Sequence, residues 1–320
     1  MGVEEGIEEI VSVLRKAFTV KILGKLEEYI GCKIVRNKKG CWLYQPDLLT
    51  KLKKDFKAQV ENMQVYVTPL PAGMTLMRPV EGDMLLNEEK QKEYRSGVGS
   101  LLYLVKLSRP DLANSTRELS KAMDQATWLH YKMLLRVIKY AMDTLLKALR
   151  LKPDDKLSWE LKGLSDSDFA ADKVSRLSVT GYLVYLNGVL ISWKSKGQKT
   201  VALSSTEAEY MAFSDLVREI LFVKQLLDFI GIEVELPIKV YVDNVGAIYL
   251  AKDSTSSGRT KHIDIKYHFC RQYIEDGVVM IEFIKSEDND SDLCTKNVSR
   301  ELLDKHTKRF MDFLSEEDLE

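Results

Sequence analysis

Val201-Ala-Leu-Ser-Ser-Thr-Glu-Ala-Glu-Tyr-Met-Ala-Phe213 is the stretch from which the rest of the chain is read. Ser204 and Glu207 have the Ser-x-x-Glu spacing of a capping box, in which a hydroxyl and a carboxylate satisfy backbone N–H groups at a helix start. The apolar residues beyond predict a helix from Ser204 to about Ile230, stopped by Gly231. Helix phase separates its two glutamates. Steps of four and seven from Glu207 lead to Met211 and Ser214, and then Arg218, a mostly polar line. The same steps from Glu209 lead to Phe213 and Leu216, and then Ile220, a buried stripe. A carboxylate at the head of a buried stripe needs a partner, because an unpaired buried charge is costly. Glu207 is therefore assigned to the cap and Glu209 to a cluster inside the protein.

Three acidic segments elsewhere are candidates for that cluster. Ser165-Asp-Ser-Asp168 follows a strand in which Leu157, Trp159 and Leu161 alternate with Ser158, Glu160 and Lys162. Asp166 and Asp168 share a face if the strand continues. Asp243 ends the apolar strand Ile238-Lys-Val-Tyr-Val242, where a lone acid has no packing reason to be, and Asn244 beside it is also a good cap for the next helix. In Glu287-Asp-Asn-Asp-Ser-Asp292, spacing alone does not choose among the acids. Acids converging from strand ends and a helix mouth suit divalent metal. Phosphodiester hydrolysis uses two ions about 3.5–4 Å apart, and magnesium favours carboxylate and water oxygens.

The remaining pattern predicts a helix over 4–17, strands at Phe18–Ile22 and Tyr29–Val35, and a return strand Cys41–Tyr44 after the turn Asn37-Lys-Lys-Gly40. A helix opens at Pro46, and the proline-bearing stretch 67–82 reads as a linker. Helices follow at 94–105, 112–123 and 127–149. After Pro153-Asp-Asp155 the signals turn to strands. Val179–Leu186 and Val189–Trp193 flank Asn187-Gly188, a strong hairpin signal. Beyond Asp243 come helices to Ala251 and over 263–275, a strand at 278–284 and a terminal helix over 291–314.

Hydrophobic residues make up 45% and charged residues 30% of the 320, with a formal net charge of −1. No overall basic field marks a nucleic-acid partner, so phosphates would have to be held by local patches. Two are candidates: Lys194, Lys196 and Lys199 beside Trp193, and Arg259, Lys261, Lys266 and Arg271. Four cysteines without paired spacing argue against a disulfide framework, and no apolar run approaches a membrane span. The acidic N-terminus is unlike a secretory signal, which predicts an intracellular soluble protein. The spacing of His262, His268 and Cys270 suggests zinc, but a helix would put 262 and 268 on different faces and no second cysteine pair exists, so zinc is not expected.

Leu190-Ile-Ser-Trp-Lys-Ser-Lys196, Thr200 to Ala212, and Arg259-Thr-Lys-His-Ile-Asp-Ile-Lys-Tyr-His-Phe269 resemble the ribonuclease H domain of copia-type LTR retrotransposon Pol polyproteins. Tyr94-Arg-Ser-Gly-Val-Gly-Ser-Leu-Leu-Tyr-Leu104 and Ser108-Arg-Pro-Asp-Leu-Ala113 resemble that family's connection segment. Leu26–Ile34 and Trp42–Pro46 resemble the end of its reverse transcriptase palm and the thumb. The resemblance implies an α/β fold with a ribonuclease H-like mixed five-stranded sheet flanked by helices, preceded by a helix-rich α+β thumb and connection. The expected division is 1–92, 93–152 and 153–320.

Further expectations come from the same resemblance. Asp166, Glu209, Asp243 and Asp292 are implied as catalytic metal ligands holding two Mg²⁺ ions, with Mn²⁺ as a substitute. Asp292 rests on the resemblance alone, and Ser291 stands where the family usually has Ala. The implied reaction hydrolyses the RNA strand of an RNA–DNA hybrid, leaving 3′-hydroxyl and 5′-phosphate ends. Ser204, Ser205 and Asn244 are candidate readers of the 2′-hydroxyls in the hybrid's wide groove. Lys194, Lys196, Lys199, Arg259, Lys261 and His262 are candidate contacts to substrate. Implied partners are the hybrid and other Pol or reverse transcriptase chains, in a cytoplasmic particle or the nucleus. Tyr241-Val-Asp-Asn244 has Asn for the second Asp of a polymerase Tyr-x-Asp-Asp motif and follows the long helix, so DNA synthesis is not expected. The rival reading is a remnant that binds nucleic acid or a partner without cutting.

Overall fold

A computed structural model describes residues 4–22, 24–154, 158–252 and 261–319, with the side chains of 4–7, 9 and 261–267 outside that description. Helix α1 (Glu4–Ala17) is followed by β1 (Glu28–Tyr29), β2 (Cys32–Asn37) and β3 (Gly40–Tyr44). The predicted strand at 18–22 is absent: residues 19–22 carry no regular structure. The strand predicted over 29–35 is broken by a turn at Ile30-Gly31, both at positive φ. Helices α2 (Pro46–Val60), α3 (Glu88–Leu107), α4 (Ala113–Ser120) and α5 (Trp128–Asp143) come next. The stretch 67–82 is irregular but is no free linker, since Leu70 and Leu76 are buried in the same core as α3 and α5.

The predicted helix 127–149 ends early. Lys147–Arg150 forms β4 instead, paired with β3 on one side and with β10 (Met311–Phe313) on the other. Lys-Ala-Leu-Arg is good helix sequence, so tertiary context overrides propensity here. Part of that context is a buried ion cluster, in which Arg109 grips Asp111 at 2.8 and 2.9 Å and the Lys147 ammonium lies 3.5 Å from the same carboxylate. The first sheet therefore runs β1-β2-β3-β4-β10, joining residues from both ends of the chain.

The second sheet contains β5 (Leu161–Asp168), β6 (Val179–Leu186), β7 (Val189–Gly197), β8 (Ile238–Val242) and β9 (Val279–Phe283), in the order β7-β6-β5-β8-β9. The β5-β6-β7 meander is antiparallel, whereas β5-β8 and β8-β9 are parallel. This is the mixed five-stranded, helix-flanked sheet that the resemblance implies. Its crossovers are α6 (Ser205–Phe229), α7 (Val245–Lys252) and α8 (Lys261–Glu275). The predicted terminal helix is instead α9 (Asp292–Thr295), α10 (Arg300–Thr307, capped by Ser299), strand β10 and α11 (Glu316–Leu319). All four cysteines are free.

Both faces of this sheet are covered. On one, Phe213, Leu216 and Ile220 of α6 are fully buried, each contributing about 1.5–3 kcal/mol. Gly163 on β5 lets that helix approach: a Cβ there would come within 2.8 Å of Leu216 and Ile220. On the other face, Leu164, Leu183 and Tyr185 share a core with Leu101, Leu104 and Leu134 of the preceding helices. The Trp193 indole fastens the same junction, donating to the Val105 carbonyl at 2.7 Å. Among the described residues, no helix is long and apolar enough to cross a membrane.

Candidate metal centre

Parallel pairing creates the site. Ser165 of β5 stands opposite Val242 of β8, so the next residues, Asp166 and Asp243, lie side by side at the carboxyl ends of two adjacent strands. Across the antiparallel neighbour, Asp166 faces Gly181 of β6. A Cβ at 181 would lie 2.7 Å from the Thr295 methyl, 2.8 Å from the Cys294 Cβ and 2.9 Å from the Ser291 carbonyl. The bare glycine lets α9 rest on the sheet and deliver Asp292. One oxygen each from Asp166, Asp243 and Asp292 lies within 4.8 Å of the other two. Among the described residues, this is the only such group of histidine, cysteine or carboxylate donors.

The long loop after β9 shows which acid it contributes. Asp290 is spent on His306 Nδ1 at 2.7 Å and Arg309 at 3.1 Å, deep in the fold. Asp288 pairs with Lys305 and Arg309 at the surface, and exposed Glu287 lies 4.0 Å from Lys285. Asp292 is the one that reaches Asp166. Asn289, fully buried, ties this loop to β5 by donating to the Ser165 carbonyl at 2.9 Å. Asn297 ties it to the preceding helices. It accepts from Ser115 Oγ at 2.9 Å and from the Gly73 N–H at 2.7 Å, and donates to the Met74 carbonyl at 2.7 Å.

At the mouth of α6 the two glutamates have different partners. Ser204 Oγ accepts from the Glu207 N–H at 3.1 Å, and Glu207 reaches back to the Leu203 N–H at 2.8 Å. Glu209 turns toward β5, where its Oε1 accepts from the Ser167 N–H at 3.1 Å. Its buried Oε2 has no hydrogen-bond partner. Glu209 lies outside the three-way group but close enough for its charge to be coupled to two of its members. Burial first, then the Asp166 and Asp243 carboxylates, pushes Glu209 up to about 9. Burial and Asp166 push Asp292 up to about 7. Burial also raises Asp243, against a hydrogen bond from Ser286 Oγ at 2.6 Å. Asp168 is raised by burial too but does not join the group. An all-carboxylate cluster with an orphaned buried oxygen beside it fits a hard divalent cation.

These shifts give a stability prediction. A carboxyl whose folded pKa is raised stabilises the fold fully below its unfolded pKa, near 4, and loses that contribution as pH rises through the folded value. Metal-free protein is expected to lose at least roughly 3 °C of melting temperature between about pH 5 and 9. Added divalent ion should restore more of it at pH 8 than at pH 5, because binding requires deprotonated ligands. Thermal denaturation in EDTA and in magnesium, for wild type and Glu209→Gln, is the check. A flat metal-free profile, or a metal effect that grows toward acid pH, would contradict the electrostatic reading of the cluster.

The remaining sequence candidates are more scattered. Ser204 and Ser205 are exposed at the helix mouth, and Asn244 caps α7 by accepting from the Ala247 N–H at 2.9 Å. Lys194 and Lys199 are exposed, whereas Lys196 is half-buried with its ammonium 3.7 Å from Asp215. Arg259 lies outside the described residues, as do the side chains of Lys261, His262 and Lys266. Residues that pattern reading missed include Gly181, Gln198, Asn289, Thr295, Lys296 and Asn297. Gln198 fastens α6 to β6, donating to the Ala208 carbonyl at 2.9 Å and to Thr180 Oγ1 at 3.1 Å. Thr295 donates its hydroxyl to Asp166 Oδ2. Gly181 sits inside a β-rich run and is its only residue without a side chain, the one local sign of a close approach.

No family model matches the chain. Among curated proteins, it is 34% identical over 307 residues to the retrovirus-related Pol polyprotein from transposon TNT 1-94 of Nicotiana tabacum, covering 94% of this chain and 22% of the relative. It is also 34% identical over 287 residues to the Pol polyprotein from transposon RE1 of Arabidopsis thaliana, covering 90% of this chain and 19% of that one. The chain belongs to the copia-type retrotransposon Pol polyprotein family. It spans about a fifth of the length of these curated relatives.

Similarity to solved structures is more distant. LC11-RNase H1, isolated from compost by a metagenomic approach, is 15% identical with a TM-score of 0.32 over 46% of this chain and 98% of that one. The foamy viral protease-reverse transcriptase, solved in complex with RNA/DNA hybrid, is 16% identical with a TM-score of 0.43 over 88% of this chain and 33% of that one. Within this Pol family chain, the carboxylate cluster lies in the region for which the resemblance implies ribonuclease H.

Proposed function

We propose that this Pol segment is an endoribonuclease that hydrolyses the RNA strand of RNA–DNA hybrids using two magnesium ions. The observation that carries the reading is the convergence of Asp166, Asp243 and Asp292 within 4.8 Å, next to the unpartnered Oε2 of Glu209. Membership in the Pol family supports the hybrid as substrate. Bound magnesium would supply hydroxide near neutral pH and stabilise the leaving oxygen. Asp166 is the central ligand, lying between the other two segments and oriented by the Thr295 hydroxyl. Asp243 is oriented by Ser286, and Glu209 is held at its other oxygen by the Ser167 N–H. Ser204 and Ser205, exposed at the mouth of α6, are the proposed contacts to 2′-hydroxyls, while Asn244 serves there through its cap geometry. Lys194 and Lys199 are free to meet phosphates; Lys196 would first have to leave Asp215.

The test is cleavage of a labelled hybrid with magnesium by wild type and by Asp243→Asn. Wild type is expected to cut the RNA strand, EDTA to stop it, and the variant to lose on the order of 10²–10³-fold in rate. RNA left whole by wild type would sink the enzyme reading in favour of a non-catalytic binding role. A variant that cuts as fast as wild type would sink the site assignment.

A further inference from the structure

Lys296 follows α9 immediately, and its ammonium lies 3.3 Å from Asp166 Oδ2 and 3.3 Å from Asp292 Oδ1. These are two of the three clustered carboxylates. Among the described residues, no other cation touches Asp166, Asp243 or Asp292; Asp166 also accepts from the Thr295 hydroxyl and Asp243 from the Ser286 hydroxyl. The backbone at this point cannot drift. The Lys296 N–H donates to the Asp292 carbonyl at 2.9 Å, and the next residue is Asn297, held by Ser115, Gly73 and Met74. The side chain has more freedom: it is 39% exposed, against 2% for Asp166.

An ammonium at 3.3 Å and a magnesium ion at its usual 2.0–2.1 Å make competing claims on the same two carboxylates. A divalent ion drawing on Asp166 and Asp292 would sit beside the Lys296 ammonium, and the repulsion between the two cations favours displacing the singly charged, more exposed one. We propose that Lys296 is the resident counter-ion of the metal-free site: it bridges Asp166 and Asp292, holds α9 against β5, and swings toward solvent when a divalent ion takes both carboxylates. Lys296 thereby positions the ligands before metal arrives and sets the metal concentration at which the site fills. The inference rests on the metal-site reading above, and concerns how that site is loaded.

Manganese binding followed by electron paramagnetic resonance tests it without any cleavage step. Lys296→Met, which keeps the length and loses the charge, is expected to bind manganese at least about tenfold more tightly than wild type, because the competitor is gone. The same variant should melt lower than wild type in EDTA, where the carboxylates have lost the one cation that touches them among the described residues. Lys296→Arg should stay close to wild type in both. Unchanged or weaker manganese binding by Lys296→Met, with wild type binding normally, overturns the counter-ion role alone. Failure of wild type to bind manganese overturns the metal-site reading and this proposal with it. If Lys296→Met does not fold, acylation of wild-type lysines read by mass spectrometry decides: Lys296 should react faster with manganese than in EDTA, and equal or slower reaction overturns the proposal.

Discussion

Asp292→Asn is expected to slow hydrolysis of the RNA strand on the order of 10²–10³-fold while leaving the protein folded. The amide keeps the volume of a side chain that is 13% exposed but removes one of three charges that converge within 4.8 Å. Neighbouring acids supply the control. Asp288 is an exposed partner of Lys305 and Arg309, so Asp288→Asn should leave the rate unchanged and the melting temperature close to wild type. Asp290 is buried against His306 and Arg309, so Asp290→Asn should act on melting rather than on metal binding. Single-turnover cleavage of a labelled hybrid, with a thermal melt of each variant, separates these. Wild-type cutting by Asp292→Asn, or an equal loss in Asp288→Asn, would show that the loop contributes a different acid.

Gly181→Ala should damage the site without touching a carboxylate. The added methyl would meet the Cys294 Cβ at 2.8 Å and the Ser291 carbonyl at 2.9 Å, and neither is the free end of a flexible side chain. Overpacking of this kind costs about 1–3 kcal/mol. The relief available is for α9 to lift off β6, which carries Asp292 away from Asp166, paired with residue 181 across the sheet. Manganese affinity is expected to fall about 10–100-fold, as when groups supporting metal ligands are removed. Gly163→Ala makes the comparison, because the atoms nearest its methyl would be the terminal methyls of Leu216 and Ile220, which can turn aside. It should cost some stability and leave metal binding near wild type. Normal manganese binding by folded Gly181→Ala would mean that α9 docks without needing the bare backbone.

Much of this architecture is legible locally. Asn187-Gly188 forms the expected turn, with φ values of 45° and 78°. The Ser204–Glu207 cap and the inward turn of Glu209 follow from helix phase, because capping and a 3.6-residue period depend only on near neighbours. Errors gathered where distant partners decide. Lys147–Arg150 became a strand because β3 and β10 flank it and Lys147 has a buried carboxylate to meet. The terminal segment broke into α9, α10 and β10 because β4 offers an open edge to Met311–Phe313. The stretch 67–82 reads as a linker from its prolines, yet its Leu70 and Leu76 fill a core assembled from residues far away in the chain.

By itself, the sequence determined the helix mouth at Ser204, the strand end before Asp243, and the division of labour between Glu207 and Glu209. Each follows from a period or cap that operates over a few residues. The strand expected from Leu157 up to Asp166 instead runs Leu161–Asp168, with Asp166 inside it. Only the tertiary structure decided which acid of Glu287–Asp292 joins Asp166, that Lys296 sits on the same carboxylates, and that a glycine on β6 makes room for α9. A loop without periodicity leaves each side chain's direction to long-range partners, here Lys305, His306 and Arg309 for the acids that turn away and Ser165, Gly181 and Asn297's contacts for the one that turns in.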